Sequence, residues 1–113
     1  MRPDEIYLAN FPFGGSPGMK LRPVLLLTGP LGEIPEVVVA YISSVIPNAL
    51  LPSDIVLDPA HPDYLSTNLK STSVLRLHKV ATIHSRSIVR RLGELSATAA
   101  SDVDQKLRVL LGV

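Results

Sequence analysis

Lys20-Leu21-Arg22-Pro23-Val24-Leu25-Leu26-Leu27-Thr28, followed by Glu36-Val37-Val38-Val39-Ala40-Tyr41-Ile42-Ser43-Ser44, decides how this chain folds. Both stretches are short, β-branched or leucine-rich, and bounded by Gly and Pro, as core strands are. Gly29 to Pro35 between them reads as a turn. Each strand carries a reactive polar group where its apolar run begins or ends. Pro23 bars the α region to Arg22, so the guanidinium leaves an extended backbone at a strand entrance. A permanent cation and a hydroxyl, both held at strand ends, suit chemistry on a phosphodiester.

Working outward, Glu5 to Asn10 reads as a first strand with Ile6 and Leu8 on one face. Phe11 to Leu21 is too rich in Gly and Pro for a helix and reads as a loop. A fourth strand is expected at Asp54 to Leu57, and a second long loop at Asp58 to Ser66. Ser73 to Leu77 and Val80 to Ile83 read as strands or a bent pair, and Ser87 to Leu92 as another, closed by Gly93. The C-terminus carries the one helix, with Ser96 as N-cap and Gly112 at its stop. Val103, Leu107, Leu110 and Leu111 recur there at i, i+4, i+7 and i+8. Short strands, tight turns and one terminal helix describe a mainly β fold, a small bent antiparallel barrel with a C-terminal α-helix packed on it.

A chain of 113 residues is a single domain, residues 1–113, with one core and little to spare. Its 46% hydrophobic and 19% charged residues leave an apolar surplus, which reads as a subunit interface. The absence of cysteine excludes a disulfide frame and thiolate zinc sites, and fits a reducing cytoplasm. Nothing behind Met1 to Glu5 resembles a signal segment, and the apolar runs are too short to span a bilayer.

The net charge of +1 hides an asymmetry. Between Tyr64 and Gly93 there is no acidic residue, while Lys70, Arg76, Lys79, Arg86, Arg90 and Arg91 fall there with His78 and His84. Such a block is the footprint of a nucleic-acid surface, although a charge run alone more often marks a solvated face. The three histidines are scattered, without spacing that favours a metal site.

At this point the chain resembles the MazF/PemK (Kid-like) toxins of bacterial type II toxin–antitoxin systems. The signposts are Glu5-Ile6-Tyr7-Leu8-Ala9-Asn10-Phe11-Pro12-Phe13, Leu21-Arg22-Pro23-Val24-Leu25 and Tyr41-Ile42-Ser43-Ser44. Later come Leu50 to Leu57, Val74 to Ile83 and Arg91-Leu92-Gly93-Glu94-Leu95-Ser96. Order and spacing make the resemblance specific, and it covers nearly the whole chain. It implies an SH3-like barrel, a homodimer, and a metal-independent endoribonuclease that needs no cofactor and cuts single-stranded RNA at short sequences. It also implies a cognate antitoxin partner whose disordered tail wraps the toxin. The family's catalytic arginine matches Arg22, and its hydroxyl matches Ser43, followed by Ser44. In the Kid-like branch an arginine, and an aspartate two residues later, fall on Arg76 and His78. Three positions depart from the pattern: Ser43 replaces threonine, His78 replaces aspartate, and Asp4-Glu5 stands where Gly-Asp is common.

RNA cleavage without a metal requires removal of the 2′-hydroxyl proton, stabilisation of charge on phosphorus, and protonation of the departing 5′-oxygen. Arg22 and Arg76 suit charge stabilisation, because guanidinium forks fit phosphate oxygens. Ser43 is assigned to a phosphate oxygen or the 2′-hydroxyl. Ser44 alternates to the other face if the strand continues. His78 is the candidate general base, with an ordinary surface histidine as its alternative; His61 and His84 are left to that ordinary role. Lys20, Ser44, Asn68, Thr72 and Lys79 are the candidates for holding the RNA. Stacking is harder to supply, because aromatics are only 4% of the chain. The competing function is a CcdB-like toxin that poisons a protein target on the same barrel without an active-site arginine and hydroxyl. Arg22, Ser43 and Arg76 together argue against it.

Overall fold

The computed structural model describes residues 1–11 and 20–113, so most of the expected Phe11 to Leu21 loop lies outside the described residues. The strands are β1 (Glu5–Phe11), β2 (Lys20–Leu26), β3 (Glu36–Ser43), β4 (Asp54–Leu57), β5 (Ser73–His84) and β6 (Ile88–Glu94). They form one six-stranded sheet in the order β4-β5-β3-β2-β1-β6, with every neighbouring pair antiparallel. The barrel is bent rather than sealed: among the described residues β4 and β6 are free edges and do not pair.

The unbroken apolar run of β2 has a physical cause, because the sheet is covered on both faces. Leu25 enters one core with Ile6, Ala40, Ile42, Leu75, Leu77 and Val103. Its neighbours Val24 and Leu26 enter a second core with Phe11, Val37, Val39 and Tyr41. Leu25 is wholly buried, so truncation to Ala should cost about 2–5 kcal/mol. Bulges bend the strands around these cores. On β1–β6 the register shifts twice, between Ile6 and Tyr7 and between Leu8 and Ala9.

β5 is one strand where the sequence left open two. Its pairing on β3 jumps from Ala40↔Val80 to Tyr41↔Arg76, so Leu77 to Lys79 bulge out of the ladder. A bulge re-aims side chains and increases local twist, and here it carries His78 and Lys79. The loop expected at Asp58 to Ser66 contains a one-turn helix, α1 (Tyr64–Thr67), fastened by Thr67 Oγ1 donating to the Tyr64 carbonyl and Ser66 Oγ to that of Asp63. Four residues are too few for hydrophobic periodicity to reveal such a turn.

Helix α2 (Ala97–Leu111) starts and stops as expected. Ser96 Oγ accepts from the Ala99 N–H, and Gly112 closes the helix in the left-handed region at φ 72°. Its apolar stripe reaches the core only in part. Val103 is buried and Leu107 packs against the core, whereas Leu110 and Leu111 are 40% and 69% exposed.

Candidate active site

Three residues in register cross the sheet as a polar row. Tyr41 on β3 pairs with Arg76 on β5, and Arg76 pairs with Asp54 on β4. Residues directly opposite on antiparallel strands project from the same face. Arg76 Nε and Nη2 donate to Asp54 Oδ1 and Oδ2, each at 3.1 Å, a two-point ion pair. The Asp54 side chain is fully buried, and its Oδ2 also accepts the Leu51 N–H at 2.8 Å. Burial alone would push its carboxyl up, but the Arg76 and Leu51 hydrogen bonds outweigh it and hold the carboxyl below the usual range. His78 stands beside this pair, with Nδ1 4.0 Å from Asp54 Oδ1 and its side chain 29% exposed. Burial and the Arg76 charge lower its pKa, with Asp54 acting in the opposite sense.

Tyr41 gathers the other cations. Arg22 Cζ and Lys79 Nζ each lie 5.7 Å from its ring centroid, within cation–π range. Phe11 meets the same ring edge-on at 5.4 Å between centroids. Arg22 Nε is buried and has no hydrogen-bond acceptor among the described residues. A buried donor without an acceptor is costly, a cost set against the cation–π contact with Tyr41. β2 meets β3 at Val24↔Tyr41, and the same register continued two residues sets Arg22 across from Ser43. Ser43 Oγ is engaged locally, accepting the Val45 N–H at 3.1 Å and lying 3.3 Å from the Val45 carbonyl.

On the opposite side, against the first core, a cavity of about 510 Å³ is lined by Arg22, Ser44, Asn68, Lys70, Ser71 and Arg90, among others. Arg22 therefore borders both the cation-bearing face and this cavity. One wall is the segment after α1, held against β6. Asn68 sits in the left-handed region at φ 54° and donates through Nδ2 to the Leu92 carbonyl, while Ser66 Oγ donates to that of Glu94. Gly93 makes the approach possible: a Cβ there would overlap the Ser66 carbonyl oxygen and lie 2.9 Å from that of Thr67.

The sequence candidates thus separate in space. Arg22, Arg76, His78 and Lys79 gather around Tyr41 and Asp54, and register places Ser43 on their face. Ser44 and Asn68 line the cavity. Thr72 is exposed between two serines, Ser71 and Ser73, that line it. Lys20 is exposed at the start of β2 and lines none of these surfaces. The stretch without acids is not free of acids once folded, because Asp54 neutralises Arg76 and Glu5 neutralises Arg91. The Arg91 Nε to Glu5 Oε2 distance is 2.7 Å, and Glu94 adds a second contact at 3.5 Å. Lys70, Lys79, Arg86 and Arg90 form no ion pair among the described residues. Asp54 and Tyr41 were not singled out from sequence; the only available signal was a lone acid at the start of a strand.

The chain matches the family described as PemK-like, MazF-like toxin of type II toxin-antitoxin system over residues 2–111. Endoribonuclease MazF6 of Mycobacterium tuberculosis is 32% identical over 111 residues, covering 95% of this chain and 93% of the relative. Endoribonuclease MazF of Staphylococcus epidermidis is 28% identical over 116 residues, covering 100% of this chain and 92% of the relative. Among solved structures, the M. tuberculosis toxin MazF-mt6 aligns with a TM-score of 0.72 at 22% identity, over 96% of this chain and 97% of that one. An endoribonuclease from a mycobacterial species, solved in complex with its cognate antitoxin, gives 0.69 at 15% identity over 100% and 96%.

Proposed function

Because the chain belongs to the PemK-like, MazF-like toxin family of type II toxin–antitoxin systems, we propose that it is the toxin of such a pair and acts as an endoribonuclease on single-stranded RNA. The observation that carries this reading is the clustering on one sheet face of Arg22 and Lys79 on Tyr41, with Arg76 and His78 on the neighbouring strand. Cations held against a low-dielectric wall stabilise developing charge on a phosphoryl group more strongly than the same cations in water.

In the proposed reaction the 2′-hydroxyl gives its proton to His78, and the 2′-oxygen forms a bond to phosphorus as the P–O5′ bond breaks. The products are a 2′,3′-cyclic phosphate and a 5′-hydroxyl, with the proton returned to O5′. No reactant is consumed beyond the RNA. Arg22 and Arg76 hold the non-bridging oxygens. Three of the five N–H donors of Arg76 remain after Asp54 has taken two. Ser43 orients the phosphate or the 2′-hydroxyl. The RNA continues across Arg22 into the cavity, where Ser44, Asn68, Lys70 and Arg90 offer hydrogen bonds and charge.

The CcdB-like reading is not favoured, since close relatives in sequence are endoribonucleases. The partner is a cognate antitoxin, which we assign an acidic segment that folds over the cationic face and excludes RNA. Incubation with a long unstructured RNA, followed by mapping of fragment ends, tests the chemistry. Cyclic phosphates or 3′-phosphates with 5′-hydroxyls are expected; 5′-phosphate ends would refute it. Antitoxin binding that RNA does not compete with would contradict the shared face.

A further inference from the structure

The residue two positions after Arg76 is a histidine where the family resemblance implies a carboxylate, yet a carboxylate comes up beside it from another strand. Asp54 starts β4, its side chain is fully buried, and its Oδ1 lies 3.1 Å from Arg76 Nε and 4.0 Å from His78 Nδ1. We propose that Asp54 is a positioning residue that fixes the Arg76 fork by one edge and pairs with Nδ1 of His78, leaving the ring's Nε2 to take the 2′-hydroxyl proton. This inference rests on the endoribonuclease reading for its catalytic meaning, but not for its geometry.

The Leu51 N–H and Arg76 tether Asp54 on both oxygens, while the ring beside it is partly exposed and can meet substrate. A separation of 4.0 Å exceeds hydrogen-bond length but lies within ion-pair reach, and catalytic hydrogen bonds often tighten only when substrate is bound. The ring's surroundings explain why it needs such a partner. Arg76 and Lys79 on its own strand disfavour the imidazolium, the Tyr41 ring on β3 holds Lys79 close by, and among the described residues Asp54 on β4 is the one anion acting on it. As the proton arrives on Nε2, the imidazolium's Nδ1–H faces that anion. The 2′-oxygen bonds to phosphorus, P–O5′ breaks, and the proton passes from Nε2 to O5′, directly or through a water that hands on its own proton. Atoms and charge balance without a further reactant.

Three measurements on the intact protein test this. In the parent protein, ¹⁵N chemical shifts of the His78 ring should show the neutral form protonated on Nδ1. In Asp54→Asn, which keeps the shape and removes the charge, the ring's titration should fall by about half a pH unit or more. Cleavage by that variant should slow on the order of 10- to 100-fold in kcat, with the acidic limb of the pH–rate profile moved to lower pH. A parent ring protonated on Nε2, or a titration unchanged in Asp54→Asn, overturns the inference even if the parent cleaves RNA. A parent that does not cleave RNA at all would instead count against the endoribonuclease reading, with the ring measurements still decisive for the pairing.

Discussion

At the scale of single residues, the two adjacent serines are the sharpest test of which face does the chemistry. Ser43 shares the face of Arg22, while Ser44 lines the cavity on the other side. If Ser43 acts on the phosphate, Ser43→Ala should lower kcat by about 10²-fold or more. Ser44→Ala should raise KM and leave kcat nearly unchanged, as loss of uniform binding does. The reverse pattern in single-turnover and steady-state kinetics would move the hydroxyl role to Ser44. The buried carboxylates make a separate prediction. Asp54 and Glu5 are both held below their ordinary range: burial opposes ionisation, and hydrogen bonds from Arg76 and Leu51, and from Arg91 and Arg2, outweigh it. The fold therefore favours their ionised forms. Their contribution is fully present above the unfolded pKa and is lost as pH falls through the lowered folded values, so thermal stability should drop below about pH 4. Melting curves that stay flat between pH 5 and pH 3 would contradict that linkage. Arg22 was legible because Pro23 marks a strand entrance, and Arg76 because the basic block and the family resemblance both fall on it. Asp54 was not, since its ion pair joins residues from two strands separated by a long loop, and local pattern carries no trace of that pairing.

Among the elements, the wall between α1 and β6 depends on one small residue. Gly93→Ala would force a methyl into the Ser66 and Thr67 carbonyls, and backbone atoms cannot yield as a flexible side chain would. Destabilisation of about 1–3 kcal/mol is expected, together with weaker RNA binding, because the segment from Asn68 to Ser73 lines the cavity. Denaturant unfolding measures the first effect and binding titration the second. An Ala variant as stable as the parent would mean that this approach is looser than the structure has it. At the far end of the chain, Ser96→Ala should cost about 1 kcal/mol through loss of the cap on the Ala99 N–H. The helix ends were readable because capping is local chemistry. How much of its stripe meets the core was not, because Leu110 and Leu111 keep helical spacing whether or not the sheet extends beneath them. β5 shows the same limit. Its two halves were recognisable as strands, but the bulge joining them is set by pairing with β3, a neighbour distant in sequence.

For the whole molecule, part of the apolar surplus in the composition reappears as exposed side chains at one groove. Leu51, Pro52, Val109 and Leu110 line a groove of about 630 Å³ between α2 and the segment before β4. Val109 is 79% exposed within a single chain. We propose that a second copy of the chain covers this groove, since a two-fold dimer is the commonest way for a small chain to cover exposed apolar side chains. Sedimentation at micromolar concentration should show a dimer, and Val109→Asp should shift it to monomer; a monomeric parent would refute the assignment. None of Arg22, Arg76, His78 and Lys79 lines this groove, and of these the proposed chemistry depends above all on Arg22. The most direct test is single-turnover cleavage of unstructured RNA in excess chelator by the parent and by Arg22→Ala, with unfolding curves for both. The parent should cleave, and Arg22→Ala should be slower by about 10²-fold or more while unfolding at nearly the same denaturant concentration. Cleavage by Arg22→Ala at the parent rate, or a parent active only when magnesium is restored, would contradict the account.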